Sequence, residues 1–299
     1  MINIKNKQNS QEILDLLFLQ RIYCEKIENM TIKIYLFTVF IAIIGIFAQN
    51  YYYLIVLNLI LIIYTNYLIN KRKEKITIMA TIKEIIDRTL FNLKNLRLEC
   101  SREKIEEYLI VEKEKKAKRY NKEISNSGTD KYRGVRDWYS YEEELNDEQI
   151  ILSCQKQNCY FTESLLGSFS KSILILVFLI FIVLLCYGRQ VTIEKLIIYY
   201  LYPFATFLTL IMNDFQNYKS FKEILKELKI EFDNIKSKKK IQEKDLEKIQ
   251  NLIYLYRKTE YRPPLEIIHW KFSKTLHKKW ETIKKHFIIT FWNNKKISN

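Results

Sequence analysis

The residues best suited to chemistry are few, and their spacing works against it. The three histidines, His269, His277 and His286, lie eight and nine positions apart, so no two share a helix face as an i, i+4 metal pair would. Cys154 and Cys159 enclose a four-residue spacer that could begin a zinc site, but no second Cys/His pair accompanies them. Buried thiols are the simpler expectation. The acidic run Glu142, Glu143, Glu144, Asp147 and Glu148 reads as the solvated start of a helix. No nucleophile stands beside a base in a recognisable pattern, so the chain does not read as an enzyme, and neither metal nor cofactor is expected. The five glycines (45, 128, 134, 167 and 188) never cluster into a GxGxxG or GxxxxGK loop, which excludes Rossmann and P-loop chemistry.

Polar side chains set inside apolar stretches offer more. Tyr199, Tyr202, Thr206, Thr209 and Asn213 recur at three- and four-residue spacing and form one stripe on an otherwise apolar helix, with Pro203 beside it. In the first apolar segment Tyr35, Thr38, Ala42, Gly45 and Gln49 make a similar seam, and Tyr51, Asn58 and Thr65 line one side of the second. Such groups either let helices pack closely or line water. Under the second reading Asn58, Thr65, Tyr199, Tyr202, Thr206, Thr209 and Asn213 are pore-lining residues, and a pore needs several chains because four thin helices enclose little lumen.

The elements that carry these stripes follow from charge patterning. The chain has 299 residues, 49 Lys+Arg against 34 Asp+Glu, only 5 Gly and 3 Pro, and a mean hydropathy of -0.17. So little punctuation disfavours β architectures and favours long helices. From Ile34 to Asn70 no residue is charged over 37 positions. One helix of that length would be about 55 Å long, against a hydrocarbon core of roughly 30 Å, so the run is expected to cross a membrane twice. Ser172–Gly188 and Leu196–Asn213 form a second uncharged pair, and Ile173–Leu185 is apolar on every face. The expected class is an all-α membrane protein with four transmembrane helices in two hairpins. Its divisions are an N-terminal helix (1–31), a first membrane hairpin (32–69), a helical region (70–171), a second hairpin (172–213) and a basic helical tail (214–299).

Lys71, Arg72, Lys73 and Lys75, then Lys171, then Lys219, Lys222, Lys226 and Lys229 crowd one side of these spans. Both termini are therefore expected in the cytoplasm, with no signal peptide and with reduced cysteines. Net charge is concentrated in the tail, at +10 of the total +15. There Phe221, Ile224, Leu228, Phe232 and Ile235, then Leu246, Ile249, Ile253 and Tyr256, predict an antiparallel helical hairpin. A last helix bears Leu265, Ile268, Phe272, Leu276, Trp280, Ile283 and Phe287 on one face, which either packs on the hairpin or lies on anionic lipid. Ser125–Asp130 reads as a flexible loop, and the chain is expected to turn helical again from Trp138.

With FLQRIYCEKIE at 18–28, ATIKEIIDRTLFNL at 80–93, VRDWYS at 135–140, CQKQNC at 154–159 and YRKTEYRPPLEIIHW at 256–270, set around two apolar hairpins, the chain resembles the SMODS-associating four-transmembrane effectors. Tyr160 stands where that pattern leads one to expect tryptophan. The resemblance implies a homo-oligomeric, pore-forming protein of the bacterial inner membrane, dormant until a partner nucleotidyltransferase makes a cyclic oligonucleotide in an antiviral system of the CBASS kind. Such a ligand is anionic with flat bases, so Arg133, Arg136, Trp138 and Tyr139, with Arg257 and Arg262, are candidates to bind it. The same residues could equally tie the middle segment to the tail. A membrane-anchored adaptor that conducts nothing is the alternative, and direct binding of nucleic acid by the tail is not expected.

Overall fold

The computed structural model describes residues 4–47, 51–94, 98–128, 130–140, 145–164, 192–195, 202–236, 240–259 and 275–286, with single positions at 178, 182, 197 and 238. Its helices are α1 (Ile4–Gln8), α2 (Gln11–Phe47), α3 (Tyr51–Phe91), α4 (Arg102–Lys115), α5 (Ala117–Ser125), α6 (147–164), α7 (Tyr202–Lys236), α8 (Glu243–Arg257) and α9 (275–286), with one further turn at Ile193–Lys195. The expected all-helical class holds. Among the described residues the one β feature is an isolated bridge between Ser127 and Arg136.

The helices run on across the expected divisions. α2, α3 and α7 run for 37, 41 and 35 residues, so positions 31/32, 69/70 and 213/214 all fall inside unbroken helices. Each of these helices has one uncharged half and one half in a shared core with α8 and α6. That core is built from Leu17 and Leu19 of α2, Met79, Ile82 and Ile86 of α3, Leu228 and Phe232 of α7, and Ile249 and Ile253 of α8. The expected tail hairpin is present as α7 and α8, and Leu246, Ile249, Ile253 and Tyr256 are all buried. Asp245 accepts from the Gln242 amide at 3.1 Å and so starts α8.

No described helix is long and apolar enough to cross a membrane. The uncharged part of α2, residues 34–47, rises about 21 Å. That of α3 is longer but diluted by Asn58, Thr65, Asn66 and several tyrosines. Residues 172–188, expected to form the third crossing, lie almost wholly outside the described residues.

Two local expectations are corrected. The chain does not become helical at Trp138; α6 begins after Asn146, where Asn146 and Gln149 exchange side-chain and backbone bonds of 2.9 and 3.2 Å. That reciprocal cap fixes the start of α6. The loop near residue 128 is also tied down. Gly134 donates to Ser127 O at 2.7 Å, Val135 to Glu123 O at 2.9 Å and Arg136 to Asn126 O at 3.1 Å.

Candidate functional site

Two buried polar clusters stand out, one in the core and one between the uncharged halves. In the first, the run Glu84-Ile-Ile-Asp87-Arg88 winds on α3 so that its three charged residues share a face. That face meets α8, α6 and the segment before α6. Arg257 Nη2 donates to Asp87 Oδ2 at 2.7 Å, and its Nη1 lies 3.6 Å from Glu84 Oε2. Arg88 Nε donates to Glu84 at 2.7 Å, and its Nη2 to Asn251 at 2.8 Å. Gln250 donates to both Glu84 (2.9 Å) and Asp87 (3.2 Å), and Tyr139 OH donates to Asp87 at 2.7 Å while accepting from Asn158, also at 2.7 Å. Glu84 and Gln250 are wholly inaccessible, and Asp87, Arg88, Arg257 and Tyr139 are buried.

Two carboxylates thus face two guanidiniums in a site closed to water. Burial pushes the Glu84 carboxyl up, against the opposing pull of Arg257, and pushes the Tyr139 phenol well up. Losing one partner of such a pair strands the other and costs about 3–5 kcal/mol. The arrangement holds elements together; its acceptors and donors face one another, and no reactive group opens to a substrate. Cys154 and Cys159 lie beside it as the buried thiols expected, and burial pushes Cys159 up to about 12. Among the described residues no His/Cys/Asp/Glu group is suited to hold a metal.

Of the six candidate ligand residues, Tyr139 and Arg257 therefore meet through Asp87. Arg133 and Arg136 are half-buried and Trp138 is exposed, all on the segment leading into Tyr139. That segment lies across the α1–α2 junction, where Asn9 and Asp137 exchange bonds of 2.8 and 3.2 Å and Gln8 accepts from the Tyr139 amide at 2.9 Å. Arg262 lies outside the described residues. Sequence reasoning missed Glu84, Asp87, Arg88 and Gln250. The available signal was the i, i+3, i+4 set of charges inside an otherwise apolar helical stretch.

The second cluster follows a seam on α3, where the buried positions are Asn58, Leu61, Thr65, Leu68 and Arg72, at alternating three- and four-residue spacing. Val56 before them and Leu59, Ile60, Ile62 and Ile63 between them face outward, Ile63 being 71% exposed. Thr38 and Ile34 of α2 face the same interface, and Leu210, Phe207 and Phe204 of α7 are buried in its neighbouring apolar clusters. The seam ends in a buried pair: Arg72 lies 3.5 Å from Asp214 of α7, which also accepts from Tyr35 OH of α2. The stripe expected on the fourth segment lies elsewhere. Tyr202, Thr209 and Asn213 are exposed and Thr206 is half-buried, whereas Phe204, Phe207, Leu210 and Asp214 are the buried residues of that stretch. Tyr199 lies outside the described residues.

In α9, Leu276 and Trp280 are buried, and Trp280 lies on Tyr160 of α6 with ring centroids 5.6 Å apart. Its apolar face thus packs on protein, with Lys278, Lys279 and Lys285 outward.

A family model described as the SMODS-associating 4TM effector domain matches residues 2–285 of the chain. No curated protein and no solved structure matches it.

Proposed function

From the premise that the chain belongs to the SMODS-associating 4TM effector domain family, we propose that it is a four-span inner-membrane effector of a CBASS-like antiviral system, opening the membrane when a cyclic oligonucleotide signals infection. One observation carries the membrane reading. The uncharged half of α3 is inside-out, burying Asn58 and Thr65 while Val56, Leu59, Ile60 and Ile63 face outward. Water would select the reverse, whereas lipid accepts the apolar face and drives polar groups inward. The four spans are 32–48, 52–69, 172–188 and 196–213, with both termini in the cytoplasm.

The helix continuity supports a mechanism. A signal felt in the cytoplasmic core reaches the spans along α2, α3 and α7 without crossing a loop. Arg133, Arg136 and Trp138 are the accessible candidates for the anionic ligand, with Arg262. The neighbouring Tyr139 carries the effect through Asp87 into α3 and Arg257 of α8. Activation is a population shift between a sealed and an open arrangement. Thr209 and Asn213 are exposed and Thr206 is half-buried, off the face of α7 that carries its buried residues, so a lumen lined by them, with Tyr199 and Tyr202, calls for neighbouring copies. Asn58 and Thr65 join such a lining once the seam parts.

The test is dye release from liposomes carrying the purified chain, with and without a panel of cyclic oligonucleotides. Release is expected only with the activating nucleotide, and Thr206→Leu with Thr209→Leu should reduce it. Silence under every nucleotide, with insertion verified, would overturn the pore reading and leave the adaptor.

A further inference from the structure

Just below the uncharged halves, three helices meet at a corner with more positive charge than its carboxylates balance. Lys26 of α2 and Lys75 of α3 both approach the buried ring of Tyr23, with Nζ 4.7 and 5.9 Å from its centroid. Tyr108 of α4 lies against the same ring at 5.8 Å. Glu112 of α4 is the carboxylate turned toward this corner, and it is already engaged by Lys26 at 2.6 Å and Lys116 at 3.9 Å. Glu74 lies 4.0 Å from Lys71, one turn before Lys75. Lys75 itself is half-buried, and no described carboxylate stands within ion-pair distance of it. Burial, then the neighbouring Lys26, depress its affinity for a proton, against the opposing pull of Glu74 and Glu112. A buried-side ammonium with a second ammonium facing it is costly unless an anion joins them.

Depth in the chain identifies the anion. Lys75 lies five residues beyond Asn70, the last of the uncharged run, about 7.5 Å along α3. Headgroup layers extend roughly 5–8 Å beyond the hydrocarbon core. We propose that Tyr23, Lys26 and Lys75 form a phosphate-binding corner that holds the headgroup of an anionic phospholipid of the cytoplasmic leaflet. The assignment rests on the membrane reading above. Lys26 uses one of its three donors on Glu112, leaving two for phosphate oxygens, and Lys75 brings three. The Tyr23 ring fixes both stems beneath the headgroup.

The experiment uses the full chain purified in neutral detergent, with bound lipid counted by native mass spectrometry after addition of phosphatidylglycerol or phosphatidylcholine. The parent and Lys75→Gln, Lys75→Arg and Lys285→Gln variants are compared. Phosphatidylglycerol should be retained at least about fivefold over phosphatidylcholine, a preference lost in Lys75→Gln and kept in Lys75→Arg and Lys285→Gln. Equal retention by the parent and Lys75→Gln overturns the corner. In a second arm, the Lys75 resonance of the ¹³C-dimethylated protein is followed. A shift to higher pKa with phosphatidylglycerol supports the assignment, and a shift with cyclic di-GMP alone transfers the corner to a soluble phosphodiester and overturns the lipid. Carbonate washing of membranes separates the two readings. Protein that stays in the pellet without lipid preference fails the corner alone; protein that washes off fails both.

Discussion

At Gly134 the requirement is space. A Cβ there would meet Asn126 O at 1.7 Å and Glu123 O at 2.5 Å, where the loop closes on the end of α5. Gly134→Ala should open that closure, lowering Tm and exposing residues 126–136 to limited proteolysis; an unchanged cleavage pattern would contradict the packing. Lys156 gives a pH test. Burial, with Lys236 beside it, pushes its ammonium down to about 8. Between about pH 8 and its ordinary 10.5 the unfolded chain then holds a proton that the folded chain has released. Stability from this group therefore rises with pH across that window. Lys156→Met should raise Tm at pH 7 and flatten the difference between pH 7 and 10, read by thermal unfolding of parent and variant together. At this scale the sequence was only partly legible. Tyr139, Arg257 and their partner Asp87 all stand in the motifs quoted above, but Asp87 sits 52 and 170 residues away from the other two, and periodicity says nothing about which helix a carboxylate will face.

Elements were easier to read than their joints. The alternating seams of α7 and α8 emerged as expected, because an apolar stripe at that spacing has few ways to be satisfied other than by a second helix. The joints did not, since a change from amphipathic to uncharged composition looks like a boundary while the backbone simply continues. α2 is held along its lower half by ion pairs to α4 and α5, including Lys113–Asp15 at 2.9 Å and the Arg119–Glu25 pair. Its middle passes through Thr31, whose hydroxyl donates to Ile27 O at 2.8 Å. Thr31→Pro removes the helix bond there and costs about 3 kcal/mol or more. The variant should still insert but lose nucleotide-triggered dye release; unaltered release would mean that α2 does not transmit.

For the molecule as a whole, the Arg72–Asp214–Tyr35 cluster joins α2 and α3 to α7 at the end of their uncharged halves. A buried charge pair is poor glue but unforgiving when halved. Arg72→Met and Asp214→Leu should each raise resting leakage from liposomes, and the double variant should be quieter than either. The expected coupling is about 0.5–3 kcal/mol, and strictly additive leakage would remove the pair from the resting state. A different consequence attaches to the core cluster, whose members come from both sides of residues 172–213. Asp87 and Arg257 are 170 residues apart. At the usual pace of translation the carboxylate waits about 10–30 s for its arginine. The core is thus completed only after residues 172–213 have left the ribosome, so the order of synthesis itself makes the core's closure one of the last events in this protein's birth.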